Sequence, residues 1–191
     1  MIRRVIAATA ACLALAGCSV GTDEVPTGDF SFVAPDGKVE LTYEGAERKT
    51  IGQVSGESLM EEGKQIGLSD FTGKVVVLNL WGAWCPPCRN EAPELQKVQD
   101  QTGPSGVQVL GIDLRDNIRS APQDFVRDRK LTFPSIYDTP GRSLLGLKGY
   151  PRSVVPSTIV LDRQHRVAAI YLREILAADI LPLVRRLAAE R

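Results

Sequence analysis

The sequence is poor in the features that nucleic-acid binding and metal binding require. It has 23 basic and 23 acidic residues, so its net charge at pH 7 is zero, and no block of basic residues stands out. Nucleic-acid binding depends on concentrated positive charge, so this class of partner is not expected. A zinc site needs about four ligands, whereas the sequence contains one histidine, His165, and four cysteines. We therefore predict no nucleic-acid partner, no metal and no other cofactor.

The sequence also lacks an apolar stretch long enough to span a bilayer. Residues 5–16 form the longest such stretch, which is shorter than the roughly 20 residues that a spanning helix needs. It follows a basic start, Arg3 and Arg4, and this pattern is typical of an export signal. The signal ends in Leu-Ala-Gly-Cys at positions 15–18, which resembles the lipobox of bacterial lipoproteins. The resemblance implies cleavage before Cys18 and a lipid anchor on its sulfur; an ordinary secretory signal with a chance cysteine is the alternative.

The rest of the chain divides into three parts. Residues 19–28 are small, polar and turn-forming, as expected of a flexible tether. Residues 29–54 contain alternating apolar residues around a turn, which indicates a β extension. Residues 55–191 are long enough for one domain with a hydrophobic core. With the signal at residues 1–18, the sequence predicts an extracytoplasmic protein anchored to the cell membrane as a lipoprotein.

The spacing of short apolar segments predicts a mixed α/β domain. Hairpins are expected at residues 30–33 with 38–43, 54–60 with 64–68, and 157–161 with 166–171. Further strands are expected at residues 75–80, 107–112 and 133–137, and helices at 87–101, at 121–129 with Ser120 as the N-cap, at 172–190, and as a single turn at 143–147. A βαβ half followed by a ββα half gives a mixed central sheet with helices on both faces. Residues 30–68 are expected to pack against one edge of that sheet.

Two of the four cysteines, Cys85 and Cys88, form a Cys-x-x-Cys motif. Cys12 would leave with the signal, and lipidation would leave Cys18 without a free thiol. A secreted domain that disulfides staple together usually carries several pairs spread along its chain. One pair packed between a buried strand and a helix indicates redox exchange instead.

The position of the motif gives each cysteine a chemical role. Cys85 is expected at the start of the helix, where free backbone N–H groups and the helix dipole stabilise a thiolate. Cys88 lies one turn further on and is placed to attack a mixed disulfide formed on Cys85, the outer sulfur of the pair. The two intervening prolines restrict the loop that holds the sulfurs together. Trp81 and Trp84 offer flat apolar surface to a partner chain.

Two other interpretations of the motif are weighed against exchange. A zinc site would need ligands beyond the pair and the distant His165. A purely structural disulfide is the second alternative, although so short a loop gains little stability from closure.

The segment from Asn79 to Arg89, NLWGAWCPPCR, resembles the active-site segment of the thioredoxin superfamily. Its WCPPC core and the following RNEAPEL are similar to the TlpA/ResA-like extracytoplasmic thiol–disulfide oxidoreductases, and the resemblance covers roughly residues 55–191. It implies a thioredoxin-like fold for these residues, to which the predicted N-terminal β-hairpin is an extension, and catalysis of dithiol–disulfide exchange by Cys85 and Cys88. It also implies partners: apocytochrome c, whose haem-attachment cysteines would be reduced, or other exported thiol proteins, and a membrane thiol electron-transfer protein as the source of electrons.

The same resemblance assigns supporting positions. Pro156 stands where this fold keeps a cis-proline facing the disulfide, and the backbone of Val155 would pair with a substrate segment beside Trp84; an ordinary trans-proline is the alternative. Glu91 would lie near the cysteines and support proton transfer, with a helix-dipole role as the alternative. Asn79 departs from the pattern, because thioredoxins carry a titratable aspartate at this position.

The sequence leaves the direction of exchange open. A reductant outside the cytoplasm needs a supply of electrons, whereas an oxidant would form disulfides in exported proteins. A peroxidase fits less well, because it would use a lone cysteine in a basic pocket and only Arg89 is nearby. The non-enzymatic alternative is a lipoprotein that binds a partner and contains a structural disulfide.

Overall fold

The computed structural model describes residues 28–33 and 36–190. The predicted signal at residues 1–18, the predicted lipidation site Cys18 and the tether up to residue 27 lie outside these ranges. The described part contains eight strands and three α-helices. The strands are β1 (Glu40–Thr42), β2 (Ser55–Ser58), β3 (Gln65–Gly67), β4 (Val75–Trp81), β5 (Val107–Asp113), β6 (Ser135–Tyr137), β7 (Ser157–Leu161) and β8 (Val167–Tyr171). The helices are α1 (Pro86–Thr102), α2 (Ser120–Asp128) and α3 (Ala177–Ala189).

The eight strands form one mixed sheet in the order β1-β8-β7-β4-β5-β6-β2-β3. β4, β5 and β6 run parallel, and the other neighbouring pairs are antiparallel. β4 lies at the centre with every residue buried, as expected for its valine-rich run. It pairs with β5 from Val75 opposite Val107 to Trp81 opposite Asp113. The loops that follow Trp81 and Asp113 therefore leave the same end of the sheet side by side.

The two faces of the sheet are covered differently. On one face, the three α-helices and the strands share a hydrophobic cluster, which includes Val77, Leu95, Phe125 and Val184. On the other face, the cover consists of the N-terminal segment and two 3₁₀ turns, Leu68–Phe71 and Ser143–Gly146. These segments contribute Phe30, Ile51, Val54, Leu68 and Leu144 to a second cluster. The predicted thioredoxin-like α/β fold is confirmed. Helices were predicted on both faces of the sheet; the α-helices cover one face, and the helical cover of the other consists of 3₁₀ turns.

Two of the three predicted hairpins are confirmed, β2 with β3 and β7 with β8. The hairpin expected from residues 30–33 and 38–43 is wrong. Residues 30–33 form no strand, and β1 pairs instead with β8 at the edge of the sheet. The N–H groups of Phe30 and Phe32 donate to the carbonyls of Thr50 and Lys148. Burial of Phe30 in the second cluster thus outweighs the local alternation, and the N-terminal segment covers a sheet face as well as an edge.

Two helix starts differ from the prediction. Ser120 is the first residue of α2 rather than its N-cap, because Arg119 before it already has helical backbone angles. α3 begins at Ala177, later than the predicted residue 172. The N–H groups of Ile175 and Ala177 donate to side-chain carboxylates of α1, so this stretch is held against α1 before the helix begins.

Arg48 ties the N-terminal segment to the rest of the domain. Its side chain is only 5% exposed, and its guanidinium group lies 3.5 Å from Asp162 Oδ2 and 2.6 Å from Glu190 Oε2. It also contacts Glu44 at 3.0 Å. Asp162 follows β7 and Glu190 follows α3, so one buried cation joins three parts of the chain.

Two kinds of feature are missing from the ranges that the structure describes. None of the helices there combines the length and the apolar character that crossing a membrane requires. No group of three or more histidine, cysteine or acidic side chains in the same ranges is arranged to hold a metal ion.

Candidate active site

The loop between β4 and α1 carries both cysteines of the motif. Cys85 is the N-cap of α1, and the two prolines occupy the first helical positions, where an absent N–H costs nothing. Cys85 and Cys88 form a disulfide, and the N–H of Cys88 lies 3.3 Å from the sulfur of Cys85. The structure therefore places both sulfurs at the start of a helix, where the dipole favours a thiolate on Cys85.

The disulfide is almost fully shielded from solvent. Cys85 is 2% exposed and Cys88 1%, so exposure does not distinguish the predicted outer sulfur; its place at the helix start does. Trp84 is 46% exposed beside it. Trp81 departs from the expectation, because it is buried and packs against Phe125 with ring centroids 5.7 Å apart. Of the two tryptophans, Trp84 is the exposed one, and its role in binding a partner chain stays a prediction.

The segment before β7 faces the disulfide. The peptide bond between Val155 and Pro156 is cis, as the family resemblance implies. The carbonyl oxygen of Val155 lies 3.9 Å from the sulfur of Cys85. A partner segment that paired with the backbone of Val155 would thus lie next to the reacting sulfur. The binding roles of Val155 and Pro156 stay predictions.

Glu91 is buried on the same helix. It is 1% exposed, and its carboxylate accepts a hydrogen bond of 3.1 Å from the N–H of Ile175 and one of 3.0 Å from the side-chain amide of Asn79. Burial raises the pKa of Glu91 to about 7, and the charge of Glu174 acts in the same direction. Hydrogen bonds to the carboxylate oppose this rise but do not cancel it. Glu91 can therefore take up or release a proton near neutral pH, as a proton carrier must.

Asn79 connects Glu91 to the neighbouring strand. Its amide nitrogen lies 3.0 Å from Glu91 Oε2 and 3.0 Å from Thr158 Oγ1. The asparagine that stands in place of the aspartate of thioredoxins thus orients a carboxylate that can titrate. This contact favours the proton-transfer role of Glu91 over a helix-dipole role, because the side chain is turned into the core and not towards a helix end.

Replacing Glu91 with glutamine should flatten the pH dependence of stability. The pKa of Glu91 is about 7 in the folded protein and close to 4.3 in an unfolded chain. Its contribution to stability is therefore complete below about pH 4 and is lost as the pH rises through 7. Between pH 5 and pH 8 we expect Glu91→Gln to lose about 2–3 kcal/mol less unfolding free energy than the oxidised wild type, since every other group titrates alike in both proteins.

Urea unfolding of the oxidised proteins at pH 5 and pH 8 measures this difference, since disulfide-bonded cysteines do not titrate. Glu62→Gln, at an exposed position, is the matched control and should keep the wild-type dependence. In the reduced protein, the rate of disulfide exchange should show an inflection near pH 7 that Glu91→Gln removes. Equal pH profiles for wild type and Glu91→Gln would contradict the role given to this carboxyl group.

Two acidic residues at and just after the end of β5 belong to the surroundings of the active-site loop, and the sequence analysis missed them. Asp116 is 7% exposed and accepts a 2.7 Å hydrogen bond from the N–H of Ala83, two residues before Cys85. Asp113, at the end of β5, is fully buried. The sequence contains one signal that could have identified Asp113. This aspartate ends the apolar strand β5, which was predicted next to the strand that precedes the Cys-x-x-Cys motif.

Comparison with known proteins agrees with this geometry. The sequence profile of the AhpC/TSA family matches residues 52–170. The thiol-disulfide oxidoreductase ResA of Bacillus thuringiensis subsp. konkukian is 35% identical over 106 residues, which cover 56% of this chain and 59% of the length of that relative. A secreted thiol-disulfide isomerase from Corynebacterium glutamicum superposes with a TM-score of 0.83 at 49% identity, over 85% of this chain and 99% of that one. A DsbF homologue from Corynebacterium diphtheriae gives a TM-score of 0.78 at 44% identity, over 82% and 98% of the two chains.

Proposed function

This chain belongs to the AhpC/TSA family, within the thioredoxin superfamily, and from that membership we propose that it is an extracytoplasmic thiol–disulfide oxidoreductase. The observation that supports this activity most directly is the disulfide at the start of α1, whose Cys85 sulfur faces the carbonyl oxygen of Val155. Of the two solved relatives, one is described as a secreted thiol-disulfide isomerase and the other as a DsbF homologue; the first description supports an export signal.

Two exchange steps transfer two electrons from the reduced Cys85–Cys88 pair to a disulfide of the partner. The thiolate of reduced Cys85 attacks a disulfide of the partner, forms a mixed disulfide and releases one partner thiolate. The thiolate of Cys88 then attacks the Cys85 sulfur, which releases the second partner thiolate and leaves the Cys85–Cys88 disulfide. The two partner thiolates take up protons, and in this proposal Glu91, three residues after Cys88 on α1, accepts the proton that Cys88 loses.

The proposed biological task is the reduction of apocytochrome c by a membrane-anchored protein. The similarity to ResA and the Leu-Ala-Gly-Cys sequence ending at Cys18 support this proposal. A lipid on Cys18 would hold the protein at the outer face of the cell membrane. There, a membrane thiol electron-transfer protein would return the pair to its reduced form, because the surroundings are oxidising.

Deleting the gene should lower the amount of c-type cytochromes, and added dithiothreitol should restore it. Haem staining of membrane fractions measures both effects. A copy carrying Glu62→Gln should complement the deletion, whereas a copy carrying Cys85→Ala should not. Normal haem staining in the deletion strain would count against cytochrome maturation as the task, but not against exchange by the isolated protein.

A second candidate is a protein that forms or rearranges disulfides in exported proteins. The description of the C. glutamicum relative as a thiol-disulfide isomerase, at higher identity than ResA, favours it. The two candidates differ in the reduction potential of the Cys85–Cys88 pair. Equilibration of the domain without residues 1–28 with glutathione buffers separates them. If the protein is a reductant, its pair has a low potential and stays a disulfide in these buffers; if it is a strong oxidant, the same buffers reduce the pair to two thiols.

A further inference from the structure

The turn after β5 is fastened to the loop that carries Cys85. The N–H of Leu114 donates to the carbonyl of Trp81 at 2.9 Å, and the indole N–H of Trp84 donates to the carbonyl of Leu114 at 2.8 Å. The third contact is the 2.7 Å hydrogen bond from Ala83 N–H to the carboxylate of Asp116. The loop before the cysteine thus takes its position from residues 114–116.

The loop has little freedom to move between these contacts. A Cβ atom at Gly82 would lie 2.4 Å from the indole nitrogen of Trp84 and 3.0 Å from the carbonyl oxygen of Leu114, so glycine alone fits there. The guanidinium of Arg115 stacks 4.6 Å from the ring centre of Trp84. Arg115 has a φ of +61°, a left-handed conformation that few residues other than glycine adopt. The turn therefore holds an unusual geometry to make these contacts.

The second acidic residue, Asp113, is buried next to Asp116. No N–H or O–H group within the described ranges donates to either carboxyl oxygen of Asp113, which is fully buried. The carboxyl group of Asp116 is close enough to add to the rise in the pKa of Asp113. Two carboxylates cannot share a hydrogen bond without a proton between them. Burial, with the neighbouring Asp116, raises the pKa of Asp113 to about 9, so Asp113 holds that proton at neutral pH.

We propose that Asp113 and Asp116 share one proton and together position the active-site loop: protonated Asp113 donates to Asp116, and Asp116 holds the N–H of Ala83. Both are positioning residues, because they act on Cys85 through the loop and do not touch the disulfide. The proposal deepens the function proposed above and rests on it for its effect on exchange. The proton sharing itself is a property of the fold and can be measured without any exchange reaction.

Other charged groups surround the pair and belong in the design of the test. Asp116 lines a cavity of about 370 Å³ beside the loop. The other charged residues lining it are Arg89 of α1 and Asp124 and Asp128 of α2. From β6, the hydroxyl of Tyr137 donates to the backbone carbonyl of Asp116, and Arg119 stacks on that ring. Asp113 differs from these neighbours in being fully buried.

The first test follows the indole fluorescence of the oxidised protein from pH 7 to pH 10.5. When Asp113 loses its proton, the two carboxylates repel each other and the environment of Trp84 should change, with a midpoint near pH 9. Asp113→Asn should lack this transition, because the amide donates to Asp116 at every pH. Asp128→Asn, which removes a charge from the same cavity without touching Ala83, should keep it, and Trp84→Phe identifies the responding ring. Absence of the transition in the wild type, or its persistence in Asp113→Asn, overturns the proposal.

The second test measures exchange by the reduced protein with an aromatic disulfide reporter at pH 7. Asp116→Ala should slow the reaction about tenfold, because a loop that is no longer held presents Cys85 in the reactive geometry less often. Asp116→Asn should recover most of the rate, since its amide oxygen still accepts from Ala83 and its amide nitrogen can donate to Asp113. A wild-type rate in Asp116→Ala overturns the positioning role. If even the wild type exchanges no thiols while the fluorescence transition is present, the proposed function fails and the shared proton stands.

Discussion

Replacing Cys85 with alanine should abolish disulfide exchange, with a rate at least about 10³-fold below that of the wild type. Cys88 does not replace Cys85 as the attacking nucleophile, because Cys88 lies inside the first turn of α1 and not at its N-cap. Stopped-flow reaction of the reduced protein with an aromatic disulfide reporter measures the effect. The far-ultraviolet circular dichroism of Cys85→Ala should match that of the reduced wild type, which separates lost chemistry from lost fold.

Cys88→Ala should behave in the opposite way. Cys85 can still attack, but no second thiol resolves the product, so the protein should accumulate as a mixed disulfide with its partner. Non-reducing gels of membrane extracts show such adducts as bands that dithiothreitol removes, and Cys85→Ala is the matched control that should show none. If neither variant forms an adduct, the disulfide is structural and the interpretation as a binding module gains.

Replacing Arg48 with alanine should lower the free energy of unfolding by about 3 kcal/mol. The guanidinium group is buried against Asp162, whose side chain is 2% exposed, and its loss leaves that carboxylate without one of its cations. Arg166 still contacts Asp162 at 2.8 Å, and the side chains of Glu44 and Glu190 are 54% and 38% exposed. Solvent therefore compensates part of the loss, which places the effect at the lower end of the range for a broken buried ion pair.

Urea unfolding of the oxidised protein measures this change, with Arg173→Ala as the control. Arg173 also contacts two carboxylates, Glu40 and Asp179, but at the surface, where ion pairs contribute less than about 1 kcal/mol. Arg48→Ala should also expose the N-terminal segment to limited proteolysis before the rest of the domain. Equal losses in the two variants would show that the buried network contributes no more than a surface pair.

The sequence predicted most reliably what depends on local pattern. The valine-rich run of β4 is apolar on both faces, so its central place followed from composition alone. The start of α1 was predictable because prolines are favoured at the first position of a helix, where their missing N–H has no partner to lose. Glu91 was identified through the family resemblance, but its contact with Asn79 depends on the packing of α1 on β4, which no local pattern records.

The elements that the sequence analysis missed depend on contacts between distant parts of the chain. Phe30 alternates with its neighbours as a strand residue would, yet it leaves the expected hairpin because the second face of the sheet needs an apolar cover. Asp113 and Asp116 are far from Cys85 in sequence and reach its loop only because β4 and β5 end together. Arg48 lies in a charged stretch typical of a solvated loop, and its carboxylate partners come from residues 162 and 190.

The anchoring of the first described residues has a geometric consequence. The N–H groups of Asp29 and Phe30 donate to Thr50, and Thr50 pairs with Arg166 in the turn between β7 and β8. That turn lies beside the beginning of β4, whereas the disulfide follows its end, so the two are separated by a seven-residue strand, or roughly 20 Å. Residue 28 therefore lies at the end of the sheet opposite the disulfide. A protein tethered through the chain before residue 28 would have its disulfide on the side that faces away from the tether.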